Sequence, residues 1–166
     1  MHKITQNEFL EKISEIAFMI EKDKQSLLEN LYRTHPASSF FFESIKSLEF
    51  HEPTKVIFNK LLISAENAVL AFFSLSKQSP LVKSVSIDLY KNILNKNKED
   101  FMAIADGDTL NKEKIESFLL NSLQPSVYMM LYLSFPKIAE NEWDKSIAFL
   151  VFLRVKSFLD CLSLSY

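Results

Sequence analysis

Glycine is nearly missing from this chain: Gly107 is the only one among 166 residues. Phosphate-binding loops and dinucleotide-binding turns need several glycines at set spacings, so that the backbone can approach an anion closely. Neither can be assembled here. Hairpin turns and open α/β sheets also draw on glycine, so its scarcity points to helices joined by short turns of Asn, Asp, Ser and Pro. Cysteine is equally scarce. Cys161 alone excludes an intrachain disulfide and a cysteine-rich metal site. A chain without disulfides fits a reducing compartment, and the expected localisation is cytoplasmic.

The three histidines, His2, His35 and His51, fall neither in a His-Glu-x-x-His sequence nor in the Glu-x-x-His spacing of diiron bundles. The acidic stretch with Asp106, Asp108 and Asn111 fails the calcium-loop pattern, because Gly107 directly follows Asp106 instead of standing at the sixth position. Caps and a tight surface turn account for it. No metal and no cofactor are expected. Nucleophile-elbow sequences are also missing, so a helical enzyme with a composite site is the third-ranked reading, with no catalytic residue to name.

Charge of one sign is not in excess, with 19 basic and 21 acidic residues for a net charge of −2. That balance gives no broad electrostatic footprint for nucleic acid or an anionic membrane. Lys91, Lys96 and Lys98 form a local basic region beside Tyr90, but Glu99 and Asp100 follow at once. It reads as a solvated helix terminus. A nucleic-acid partner is not expected. The N-terminal stretch from Met1 to Ile13 has no continuous apolar core or small-residue cleavage site, so it does not read as a signal peptide.

What is abundant is phenylalanine, with 15 residues in a chain that is 48% hydrophobic. A chain of this length folds as one domain and can bury roughly 70% of the surface its unfolded form exposes. Thr5 and Glu8 have capping-box spacing, and Phe9, Ile13, Ile16, Ile20, Leu27 and Leu31 follow at helical intervals. This predicts a helix from about residue 6 to 32, with a possible interruption near Glu21–Lys24. Pro36 restricts His35 and ends it. A short helix capped by Ser38 or Ser39 follows, with Phe41, Ile45 and Leu48 on its stripe. Pro53 reads as the first turn of the next helix, which is apolar around most of its circumference from Val56 to Leu75 and therefore central. Lys55, Lys60, Glu66 and Asn67 interrupt it, so a transmembrane segment is not expected.

Ser79 and Pro80 repeat the helix-start signal, with Leu81, Val85, Leu89 and Ile93 as its seam. Residues 95–100 read as a break, followed by a short turn near Phe101–Ala105. Further segments run from about Leu110 to Leu123 and from Gln124 to Pro136. The last helix is predicted from Asn141 to Asp160 or a little beyond. Its run Ile147–Leu153 has only seven consecutive apolar residues before Arg154, well short of the ~20 of a membrane span. The expected fold is therefore all-α: a single-domain compact bundle of about six to eight helices over 1–166, with a hydrophobic C-terminal helix in the core.

Candidate sites follow from residues that break these patterns. Phe40 and Phe42 fall off the stripe of their helix, so they are candidates for an interaction surface. Glu66, Asn67, Tyr128 and Arg154 are polar groups set in greasy helices, as buried or ligand-orienting candidates. A buried charge needs a partner, which suggests a Glu66–Arg154 pair; the alternative is an Arg154 at the rim with its charge in water. Trp143, Phe149, Phe152 and Phe158 line either a pocket or the core, and Cys161 reads as a small buried hydrophobe. The leading functional expectation is a non-catalytic protein-interaction or regulatory protein, binding a protein partner or itself. The second is a small-molecule sensor with an aromatic-lined pocket.

Overall fold

The protein is represented by a computed structural model that describes residues 1–106, 109–110 and 112–166. Gly107, Asp108 and Asn111, and with them the acidic turn weighed as a calcium loop, lie outside the described residues.

The capping box forms as its spacing predicts. Thr5 accepts from the Glu8 amide and the Glu8 carboxylate reaches back to the Thr5 amide, starting α1 at Gln6–Ala17. The helix expected over residues 6–32 is interrupted, just before Glu21–Lys24 and not within it. The chain turns at Phe18–Ile20, and α2 runs Glu21–Thr34. Ile20, on the expected stripe, is 66% exposed at that turn, so the apolar stripe does not continue across it. α3 is Ala37–Lys46, opened by Pro36 and not by a serine cap. Ser38 instead donates from its hydroxyl to the His35 carbonyl, bonding back across the turn. A 3₁₀ turn, Ser47–His51, leads to α4, Lys55–Ser76, and Pro53 stands just before its first turn.

The next start signal fails. Residues 80–86 are non-helical, and α5 is Ile87–Ile104, with the Ser86 hydroxyl accepting from the Leu89 amide. Tertiary bonds hold this segment outside a helix. Val82 donates to the Ser165 carbonyl at 2.7 Å, and Val85 donates to His35 Nδ1 at 3.1 Å. The break expected at residues 95–100 is likewise absent, because α5 runs through it. After a two-residue antiparallel pairing of Ala105–Asp106 with Thr109–Leu110, α6 is Lys112–Leu120 and α7 is Pro125–Ser134, with proline at its first position. Pro136 falls in a 3₁₀ turn, Phe135–Ile138. Asn141 caps α8, Glu142–Ser165.

The protein is thus an all-α bundle of eight α-helices among the described residues. α8 lies between α4 and α5, α1 covers α4, and α3 and the Phe135–Ile138 turn pack on α8. Every residue from Val155 to Leu162 is buried, as is every residue from Ala68 to Phe73. A helix buried on all faces is a central one, so the two greasiest segments form the middle of the fold. By length and composition α4 could cross a membrane, yet 56% of its most apolar window is buried inside the protein. Phenylalanines fill the space between the layers. Phe41 stacks on Phe158 at 4.6 Å, and Phe9 meets Phe72 edge-on at 6.4 Å. Each such side chain contributes about 1.5–3 kcal/mol by leaving water. Of the aromatic residues considered for a pocket, Phe149 and Phe152 meet at 6.1 Å and both meet the Phe101 ring, which Phe118 also touches, at 5.4, 6.3 and 5.2 Å; Phe158 packs on Phe41, and Trp143 is exposed.

Candidate functional site

A helix buried on every face must do something with its charged residues, and α8 has two where it is most enclosed. Lys156 and Asp160 are one turn apart, with side chains only 3% and 9% exposed. The Lys156 ammonium donates to Asp160 Oδ2 at 2.7 Å and to Asn97 Oδ1 at 3.0 Å. Asn97, from α5, returns its amide protons to Asp160 Oδ2 at 3.0 Å and to Ser157 Oγ at 2.9 Å. Tyr128, from α7, donates to Asp160 Oδ1 at 2.6 Å. The Ser157 hydroxyl donates to the Leu153 carbonyl. Three helices are thereby tied by one network in which each charge has an opposite charge and neutral partners. That is the condition under which a buried pair does not carry an uncompensated desolvation cost.

Aromatic rings complete the enclosure. Lys156 Nζ lies 4.9 Å from the Tyr128 ring centre and 5.4 Å from that of Phe118, where the negative ring faces add to its stabilisation. Burial and the neighbouring Asp160 charge raise the Tyr128 phenol well above its ordinary pKa, so it stays a hydrogen-bond donor.

Asn97, Lys156 and Asp160 of this network form the floor of an open cleft of about 730 Å³ between α5, α6, the N-terminal residues and α8. Ile93, Phe118 and Leu164 supply apolar wall, and Lys3, Lys96 and Asp100 supply charge at its rim. The arrangement has the makings of a small-molecule site, with apolar walls and a few fixed polar groups.

The residues singled out from sequence are distributed differently. Tyr128 is in the network. Glu66 and Arg154 do not pair. Glu66 lies 3.0 Å from Lys24 of α2 in a partly buried ion pair. Arg154 donates through Nε to the Ser44 carbonyl at 3.1 Å and through Nη1 to the Leu150 carbonyl at 3.2 Å. Asn67 lines a separate cleft of about 270 Å³ between α1, α4 and α7, and its Oδ1 is buried with no hydrogen-bond partner among the described residues. Phe40 and Phe42 do not make one face, since residues two apart point to opposite flanks of a helix. Phe40 leans on Tyr90 and Lys91 of α5, whereas Phe42 meets Tyr32 of α2. The more exposed aromatic residues are elsewhere: Phe18 and Phe50, each at 89%, and Trp143 at 55%.

Two further buried groups lie outside the cleft floor. The Cys161 thiol is enclosed, and burial pushes its pKa up to about 12, as suits a thiol that packs as a hydrophobe. His35 is fully buried at the end of α2. Its Nδ1 accepts from Val85, so the neutral ring carries its proton on Nε2, 3.1 Å from the Tyr166 hydroxyl. Burial lowers its pKa to about 4. Among the described residues, no group of three or more His, Cys, Asp or Glu side chains gathers as a metal site would require.

Asn97, Lys156 and Asp160 were missed from sequence. Lys156 and Asp160 did leave a trace, an opposite-charge pair four residues apart inside an apolar helix. Asn97 left none, because a polar run gives no sign that one of its members is buried. In comparison with known proteins, no family model matches the chain, and neither does any curated protein or solved structure.

Proposed function

We propose that the protein is a non-catalytic helical binding domain for a small organic ligand, held in the cleft above Lys156 and Asp160. A single observation carries this reading: an ion pair braced by Asn97 and Tyr128 closes the floor of an open, partly apolar cleft. A polar floor fixed by three helices can orient a ligand without moving, while Ile93, Phe118 and Leu164 give it apolar area to cover. The reading is non-catalytic because the hydroxyls in the cleft lining and beneath it are already committed. The Ser122 proton, in the lining, goes to the Leu119 carbonyl; beneath the floor the Ser157 proton goes to a backbone carbonyl and the Tyr128 proton to Asp160, so none is poised beside a free base. A free, buried Cys161 supports the cytoplasmic setting expected from composition.

Native mass spectrometry and amide chemical-shift mapping of the full chain against a small-molecule library test this. Ligands should shift the amides of Lys96, Asp100 and Phe118. The substitution Leu164→Arg, at the exposed mouth, should abolish those shifts without unfolding the chain. Equal binding by Leu164→Arg would sink the proposal.

The protein-interaction reading also has an observation in its favour. Phe50 and Trp143 are exposed on neighbouring segments, joined by the bond from Trp143 Nε1 to the His51 carbonyl at 2.8 Å. Exposed aromatic rings on adjoining segments are a common interface signature. If that pole mediates self-association, the double variant Phe50→Ser/Trp143→Ser will lower the sedimentation mass, and an unchanged mass will count against it.

A further inference from the structure

Arg154 and Lys98 are cations without an anion. Each is half-buried, and among the described residues neither has a carboxylate within ion-pair distance. α5 lies along α8 with Tyr90 against Phe158 at 5.9 Å and Phe101 against Phe152 at 6.3 Å. Lys98 on α5 and Arg154 on α8 both fall between these two contacts, which brings them to the same level of the bundle.

Arg154 is also anchored with capacity to spare. A guanidinium has five N–H donors, and only Nε and one Nη1 proton are engaged, both by backbone carbonyls. Both Nη2 protons and one on Nη1 are left. Its nearest acidic hydroxyl is no countercharge: burial pushes Tyr90 to about 12, so the phenol stays neutral. Burial and the neighbouring Arg154 charge both lower the Lys98 pKa, as like charges held close together require. The nearby acids are directed elsewhere, with Glu43 on Lys46 and Asp100 at the rim of the other cleft. Lys91, two helical turns before Lys98 on the same face of α5, adds a third positive charge over the Phe40 ring.

We infer that Arg154 and Lys98 form a phosphoryl-binding site at the seam of α3, α5 and α8. Two cations, one of them anchored, match the charge of a phosphate dianion. A guanidinium already anchored through Nε and Nη1 holds its remaining donors in a rigid plane, which suits tetrahedral oxyanions better than a mobile ammonium would. An anion there would also relieve the repulsion between the two cations. This site is separate from the cleft above Lys156 and does not depend on the reading given to that cleft.

Inorganic phosphate is the direct probe, titrated into the full chain at constant ionic strength and followed by calorimetry and phosphorus NMR line width. Saturable binding with one phosphate per chain is expected, weakened at least tenfold by Arg154→Gln and by Lys98→Gln. Arg154→Lys should fall between, since it keeps the charge and loses the planar donors. Lys137→Gln removes the same charge from an exposed turn and should leave the affinity within twofold. Non-saturable binding, or equal losses in Lys98→Gln and Lys137→Gln, would overturn the site. Acetate competing as well as phosphate would overturn its phosphoryl character. If Arg154→Gln fails to fold, Lys98→Gln and Arg154→Lys still decide the matter.

Discussion

Lys156 Nζ lies 2.7 Å from Asp160 Oδ2, one turn along a helix whose residues are buried all round at this level. Removing one partner strands the other charge away from water. Lys156→Met and Asp160→Asn should therefore each destabilise the fold by about 3–5 kcal/mol in urea denaturation. The double variant Lys156→Met/Asp160→Asn should lose less than the sum of the two. Strict additivity would show that the two charges are not coupled.

Tyr128 tests the neutral part of the same network. Tyr128→Phe keeps the ring beside Lys156 and deletes only the hydrogen bond to Asp160, so a loss of about 1.5–3 kcal/mol is expected. In an ultraviolet absorbance titration, one tyrosine fewer should ionise above the ordinary phenol range in the variant than in the parent.

His35 makes stability depend on pH. Its ring titrates near 4 in the folded protein and near its ordinary 6.5 once unfolded. Between those values the unfolded chain holds a proton that the folded chain does not, so unfolding takes up a proton and stability falls as pH drops from about 6.5 to about 4. One proton sets a limiting slope of about 1.4 kcal/mol per pH unit. Protonating Nδ1 also removes the acceptor for the Val85 amide and loosens residues 80–86. His35→Asn should flatten this part of the Tm-against-pH curve, and parallel curves would contradict the assignment.

The ion pair of Lys24 and Glu66 is a contrasting case. Their side chains are 17% and 34% exposed, so Glu66→Gln should change stability by no more than about 1 kcal/mol. A double-mutant cycle between Glu66 and Arg154 should give a coupling near zero, as the two have different partners.

Phenylalanine substitutions should divide by burial. Phe101→Ala opens a cavity among three rings and should cost about 3–5 kcal/mol. Phe50→Ala, at 89% exposure, should stay within about 0.5 kcal/mol of the parent in the same denaturation series.

Local signals decided much of this fold. The capping box at Thr5 and Glu8, proline at the first position of α7, the Asn141 cap and the all-round apolar character of α4 and α8 each depend on residues close together in the chain. Helix content and the placing of the last helix in the core were therefore legible without a structure. Tertiary structure decided what depends on residues far apart. Residues 80–86 carry a valid helix-start signal, yet Ser165 and His35 claim the amides of Val82 and Val85 and keep the segment non-helical. Asn97 sits in a polar run that resembles a loop, but Lys156, Ser157 and Asp160 hold it inside a helix. The same limit separated Glu66 from Arg154: periodicity shows that a charge is enclosed, and only the packing of distant helices selects the partner that satisfies it.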